Sequence, residues 1–127
     1  NNSTDPYESL YIKKIERFIS HLNETCFTSL KDYESHYASY AQKSFYKKHL
    51  DQFKNDTGRK FSVVVYLNKN WLPTDGGMLS LYPKGKNQED ISPLGGRIVF
   101  FRSDELEHEV HPSFTRERNS IAGWFKS

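Results

Sequence analysis

Phe61-Ser62-Val63-Val64-Val65-Tyr66-Leu67 is the clearest strand in this chain. It is rich in β-branched residues and nearly all apolar. Turn chemistry bounds it: Asn55-Asp56-Thr57-Gly58 comes before, and a loop over 68–77 with Pro73 and Asp75-Gly76-Gly77 comes after. A strand this apolar is buried on both faces. Working outward, further short strands are expected at 78–82, 96–101, 107–111 and 120–125. Pro83-Lys84-Gly85 and Pro93-Leu94-Gly95-Gly96 punctuate them. Upstream, Tyr33, His36, Tyr37, Tyr40, Phe45, Tyr46 and Phe53 mark a strand-prone aromatic stretch. Many short strands at close spacing with Gly/Pro turns predict a mainly β fold, a sandwich or barrel.

One helix precedes the strands. Asp5-Pro6 reads as N-cap and first turn. From Tyr7 to about Cys26, Leu10, Tyr11, Ile15, Phe18, Ile19 and Leu22 recur at helical spacing, with Lys13, Lys14, Glu16 and Arg17 on the wet side. Such a helix carries no chemistry and is expected to buttress a sheet.

The 127 residues argue for a single domain over 1–127, large enough to bury a core without staples. The chain begins at Asn1 with no initiator methionine and reads as a processed or N-terminally trimmed piece of something longer. The net charge of +2 is too balanced to imply nucleic acid. Six basic residues from Lys43 to Lys60 (Lys43, Lys47, Lys48, Lys54, Arg59 and Lys60) form either a solvated strand face or a rim that attracts an acidic partner. The single cysteine, Cys26, rules out an internal disulfide and a cysteine zinc cluster. It fits a reducing cytoplasm and a small buried hydrophobe. No apolar run approaches the length of a membrane span, so no membrane partner is expected.

The chemistry lies in a spaced set. His49-Leu50-Asp51 is an H-x-D pair, and His108 and Arg118 follow. Strand side chains alternate faces, so His49 and Asp51 share one and can grip an ion together. His108 on a late strand supplies a third ligand. Two His and one carboxylate with open positions describe the facial triad of non-haem Fe(II) oxygenases. His111 competes with His108, but it has the opposite parity and precedes Pro112. The Arg118 guanidinium fork suits a carboxylate, with Ser120 on the same face. Arg116 is its rival. Taken singly, the histidines read equally well as surface residues paired with neighbouring acids, and Arg118 as a surface ion pair with Glu117 or Glu109.

Longer motifs add to this. Tyr66-Leu67-Asn68-Lys69-Asn70-Trp71, Asp75-Gly76-Gly77-Met78-Leu79-Ser80-Leu81-Tyr82-Pro83, Gly96-Arg97-Ile98-Val99-Phe100-Phe101-Arg102-Ser103-Asp104 and His108-Glu109-Val110-His111-Pro112 occur in the order seen in one family. The chain resembles the 2-oxoglutarate/Fe(II)-dependent prolyl hydroxylases, especially bacterial relatives of the hypoxia-sensing enzymes, from about residue 37 to residue 125. The resemblance implies a double-stranded β-helix (jelly roll) with iron at one open end. It implies His49, Asp51 and His108 as iron ligands, and Arg118 and Tyr66 on the distal carboxylate of 2-oxoglutarate. It also makes Tyr40 a further candidate for the co-substrate pocket. Trp71 and Trp124 are expected to be structural. Val64, Leu79, Leu81, Phe100 and Val110 are expected as apolar walls. The implied cofactors are Fe(II), 2-oxoglutarate and O₂, with ascorbate as reductant, and the implied substrate is a prolyl residue of a protein or peptide. A small-molecule or amino-acid oxygenase, and a jelly-roll binding module without catalysis, are the rival readings.

Overall fold

The structure, a computed structural model, describes residues 6–25, 29–51 and 58–127. The expectations for Asp5, Cys26, Phe53, Lys54 and the turn residues 55–57 fall outside that set. The helix α1 spans Pro6–Thr25. Among the described residues eight strands follow: β1 (Asp32–Tyr40), β2 (Tyr46–His49), β3 (Arg59–Tyr66), β4 (Leu79–Tyr82), β5 (Glu89–Ile91), β6 (Ile98–Arg102), β7 (Glu107–Val110) and β8 (Arg118–Lys126). They form two four-stranded sheets, ordered β1-β8-β3-β6 and β2-β7-β4-β5. Every strand pairing is antiparallel. The chain crosses repeatedly from one sheet to the other, which is the jelly roll that the motifs implied.

Two elements differ from the sequence reading. The aromatic stretch after Asp32 is broken in two by a turn in which Lys43 takes a positive φ of 70° and Ser44 N–H bonds Ala41 O at 3.0 Å. The strand β5 was not expected. Glu89-Asp90-Ile91 has one apolar residue, and it is a strand because β4 offers it a register, Leu79 to Ile91 and Leu81 to Glu89. It forms a sheet edge, where charged side chains discourage further pairing.

The two-residue pleat sorts the larger sheet into two faces. On β3, Phe61, Val63 and Val65 turn outward and join Ile15 and Leu22 of α1, together with Leu30 and Phe125. The helix is therefore the buttress expected from its apolar stripe, although Leu10 stays exposed. Phe125 is 0% exposed at the centre of this layer, with ring centroids 5.2 Å from Tyr33, 5.7 Å from Phe18 and 5.7 Å from Phe100. Tilted aromatic pairs of this kind contribute about 0.5–1.5 kcal/mol each beyond area burial. On the inner face, Tyr66, Val99 and Phe101 meet Leu79, Leu81 and Val110 of the smaller sheet. Phe100 thus belongs to the helix side and is no wall of an inner pocket.

Gly123 on β8 shows how tightly the helix side closes. A Cβ there would lie 2.5 Å from the Tyr33 hydroxyl oxygen and 2.7 Å from its ring. The Tyr33 ring cannot swing freely, because its hydroxyl lies 2.8 Å from that of Tyr11 and the ring meets Phe125 in a T-shaped contact. Gly123→Ala is expected to cost about 1–3 kcal/mol through overpacking, read as a lower melting temperature. An unchanged melt would show that the Tyr33 ring is free to move.

Candidate metal centre

His49 ends β2 and His108 lies in β7. The register makes them cross-strand partners, with ring centroids 4.2 Å apart. Asp51 sits in a bend two residues past the end of β2 rather than on the strand itself. Its carboxylate turns back between the imidazoles. Asp51 Oδ1 is 3.3 Å from His49 Nε2 and 3.2 Å from His108 Nε2. One donor atom from each residue lies within 4.8 Å of the others. Nitrogen and oxygen donors about 2.1 Å from a shared metal, at right angles, stand about 3 Å apart. The two spacings between Asp51 and the histidines are close to that of adjacent ligands on one ion.

The tautomers point the same way. His49 Nδ1 lies 2.6 Å from Lys47 O and His108 Nδ1 3.1 Å from Leu106 O. A carbonyl can only accept, so each Nδ1 carries a proton and a neutral ring presents a bare Nε2. Two nitrogen lone pairs then face one carboxylate oxygen, an arrangement that a cation relieves. Burial by itself would push the Asp51 carboxyl up. Without a cation, Nε2 atoms that carry protons donate to Asp51 instead, and those bonds from His108 and His49, with the one from Ser62, outweigh burial and hold the carboxyl well below the usual carboxylate range.

The larger sheet supplies the opposite wall. Arg118 and Ser120 open β8, where they pair in register with Tyr40 of β1 and Tyr66 of β3 respectively. Arg118 is 4% exposed. Its guanidinium carbon lies 4.5 Å from the Tyr40 ring centroid and 5.8 Å from that of Tyr66. Among the described residues no carboxylate pairs with it. Burial lowers its pKa, with Tyr66 and Tyr40 opposing, and a guanidinium remains charged regardless. Burial pushes the Tyr66 hydroxyl up against the pull of Arg118, and that buried hydroxyl makes no hydrogen bond among the described residues. A buried cation without an anion, beside a buried unsatisfied hydroxyl, is costly unless a ligand carboxylate completes the pair.

Both walls line one pocket of about 310 Å³. His49, Asp51 and His108 face it together with Arg118, Tyr66, Ser120 and Tyr40, and Val64, Leu79 and Val110 supply apolar surface. Leu81, expected among these walls, packs in the core beside the pocket.

The rivals are placed elsewhere. His111 Nε2 bonds Ser80 Oγ at 2.7 Å on the outer face of the smaller sheet. Arg116 lies over Trp71, 4.9 Å from the ring centroid, and donates to Lys69 O at 2.8 Å. The Asp75-Gly76-Gly77 turn explains how Arg118 is delivered. Gly76 and Gly77 take φ of 74° and 68°, a region that glycine adopts freely. That bend lets Gly77 N–H reach Pro112 O at 3.0 Å and Asp75 O accept from Phe114 N–H at 2.8 Å. The Asp75 carboxylate accepts from the Thr115 hydroxyl. The segment leading into β8 is thereby tied down.

Sequence reasoning missed the supports of Asp51. Asp51 Oδ2 accepts from Ser62 Oγ–H at 2.6 Å and from Trp124 Nε1–H at 3.1 Å. Trp124 was expected to be merely structural, yet it lines the pocket. The available signal for Ser62 was a lone hydroxyl in an otherwise apolar strand.

Residues 35–126 match the model of the 2OG-Fe(II) oxygenase superfamily, and the chain belongs to that superfamily. It is 45% identical over 83 residues to a hypoxia-inducible factor prolyl hydroxylase of Caenorhabditis elegans, a match over 63% of this chain and 11% of that relative's length. The chain therefore spans only a small part of that protein. The crystal structure of a Pseudomonas putida prolyl-4-hydroxylase superposes on 99% of this chain and 70% of its own, with a TM-score of 0.94 and 36% identity. A prolyl hydroxylase from Trichoplax adhaerens, solved in complex with a hypoxia inducible factor oxygen degradation domain peptide fragment, covers 91% of this chain and 56% of its own. Its TM-score is 0.77 and its identity 30%. Fold and family agree with the expectation drawn from the motifs.

Proposed function

We propose that this chain is the catalytic domain of an Fe(II)- and 2-oxoglutarate-dependent dioxygenase that hydroxylates a prolyl residue of a protein or peptide. The observation that carries the reading is one pocket holding a convergent His49–Asp51–His108 donor set opposite a buried Arg118 that has no carboxylate partner among the described residues. Iron(II) would be held by His49 Nε2, Asp51 Oδ1 and His108 Nε2, three ligands that leave coordination positions open. Arg118 would take the distal carboxylate of 2-oxoglutarate in a bidentate fork. Tyr66 and Ser120 would donate to the same group, and Tyr40 would support the guanidinium from below. When bound, iron with 2-oxoglutarate and O₂ supplies the oxidation that turns C–H into C–OH and releases succinate and CO₂. Val64, Leu79 and Val110 keep water from the reacting centre, and the two sheets hold the ligands in place before substrate arrives. A peptidyl substrate is favoured by the relatives, prolyl hydroxylases by name, one of them solved with a peptide. A cytoplasmic location belongs to the same proposal, since a single cysteine fits a reducing compartment.

The test is turnover with Fe(II), 2-oxoglutarate, ascorbate and a proline-containing peptide. Peptide-stimulated succinate release, with a mass gain of one oxygen on the proline, is expected. Succinate release driven by free amino acids and not by peptides would make the protein a small-molecule oxygenase. No release from folded, iron-loaded protein with any candidate would favour a binding module.

A further inference from the structure

We propose that Ser62 and Ser103 form a buried positioning relay that pins one oxygen of Asp51 and so presents the other, alone, to the metal. The inference rests on the iron reading of His49, Asp51 and His108, and concerns groups that lie behind those ligands. The two oxygens of Asp51 have separate partners. Oδ1 faces His49 and His108 at 3.3 and 3.2 Å. Oδ2 faces away, toward Ser62 Oγ at 2.6 Å and Trp124 Nε1 at 3.1 Å. Ser62 Oγ lies in turn 2.8 Å from Ser103 Oγ.

Proton counting gives this chain a direction. An ionised carboxylate only accepts, so the single Ser62 proton is committed to Asp51. Ser62 Oγ can then only accept from Ser103, and Ser103 must donate. Both serines are buried, at 1% and 0% exposure, so water does not compete for either hydroxyl. Their backbones are equally fixed. Ser62 lies in β3 between β6 and β8, paired with Phe101 and Trp124. Ser103 follows β6, and its N–H bonds Lys60 O at 3.1 Å.

Such fixation matters because Asp51 lies beyond the end of β2, where among the described residues its backbone carbonyl meets the Arg59 guanidinium at 3.4 Å rather than a strand ladder. A carboxylate on a bend can rotate to present both oxygens to an ion or neither. Two donors on Oδ2 remove that freedom and leave one metal-facing oxygen, so that the positions opposite remain open for co-substrate. Outer partners of this kind typically contribute ten- to a hundredfold to metal affinity.

The experiment is an anaerobic Co(II) titration of the intact chain, followed by the visible d–d band, alongside thermal melts of the metal-free protein. Ser62→Ala is expected to weaken Co(II) binding about ten- to a hundredfold and to change the band shape. Ser103→Ala should act in the same direction but less. The double variant should bind no more weakly than Ser62→Ala, because Ser103 acts through Ser62. Ser62→Thr keeps the hydroxyl on a strand that suits a β-branched side chain, and should recover most of the affinity. A purely structural role would lower the metal-free melting temperature and leave the affinity and band of the folded fraction unchanged. That outcome overturns the relay, as does a Ser62→Thr protein as weak as Ser62→Ala. Asp51→Ala serves as the control. If it abolishes binding while Ser62→Ala binds as wild type, the relay fails and the metal reading stands. If it binds normally, the metal reading itself has failed.

Discussion

Asp51→Ala is expected to abolish Fe(II) binding and all 2-oxoglutarate turnover. Among the described residues Asp51 brings the only negative charge to the proposed centre, and its Oδ1 is the atom on which both imidazoles converge at 3.2 and 3.3 Å. The loss should exceed the ten- to hundredfold associated with partners that only orient a ligand. Alanine also removes the acceptor of the Ser62 hydroxyl, which can turn to Ser103, and that of the half-buried Trp124 indole N–H. An unpaired buried donor costs about 1–3 kcal/mol, so this variant should melt lower as well. Asp51→Asn separates the effects. Its amide oxygen can still accept from Ser62 and Trp124, which holds the fold, while the charge is gone. Calorimetric Fe(II) titration under anaerobic conditions, paired with thermal melts, should show a near-native melt with binding lost or weakened at least about a hundredfold. His108→Ala should behave like Asp51→Ala toward iron. Retained one-to-one iron in all three variants would sink the assignment.

Arg118→Ala is expected to leave iron binding intact and to weaken 2-oxoglutarate binding sharply. Breaking one side of a buried, hydrogen-bonded charge pair costs about 2–5 kcal/mol, which corresponds to a loss of roughly thirtyfold to several thousandfold. Arg118 is held for this role by its cross-strand partner Tyr40, 4.5 Å from its guanidinium carbon, and by Gly77, where an added Cβ would sit 3.4 Å from the Arg118 Cδ. Arg118→Lys should fall between the two, because an ammonium keeps the charge but cannot form the planar fork. The measurement is the weak visible band that appears when 2-oxoglutarate chelates protein-bound Fe(II) without oxygen. Unchanged co-substrate affinity in Arg118→Ala would return the role to Arg116, despite its engagement with Trp71 and Lys69.

The effects separate cleanly because the two sets of residues stand on different sheets. His49 and His108 belong to the smaller sheet, with Asp51 in the chain just past β2, whereas Arg118, Ser120, Tyr66 and Tyr40 belong to the larger. Substitutions on one wall need not disturb the other.

The residue types and their local periods carried much of this. An apolar stripe at helical spacing marked α1. The β-branched run before Tyr66 marked a strand buried on both faces, and that strand lies between the helix layer and the smaller sheet. His49, Asp51, His108 and Arg118 stood out because metal and carboxylate chemistry needs those groups, and the surrounding motifs gave them a family. Strand parity had preferred His108 to His111, and the β2–β7 register pairs it with His49. Three things were decided only in three dimensions. Asp51 joins the two histidines from a bend, which strand alternation does not describe. Trp124 reaches Asp51 across 73 residues and Ser62 reaches Ser103 across 41. The charged strand β5 exists because β4 pairs with it. Alternation along a strand tells which side chains share a face, but a hydrogen-bonded register between distant segments tells which of them meet, and that register is a property of the whole sheet rather than of any local window.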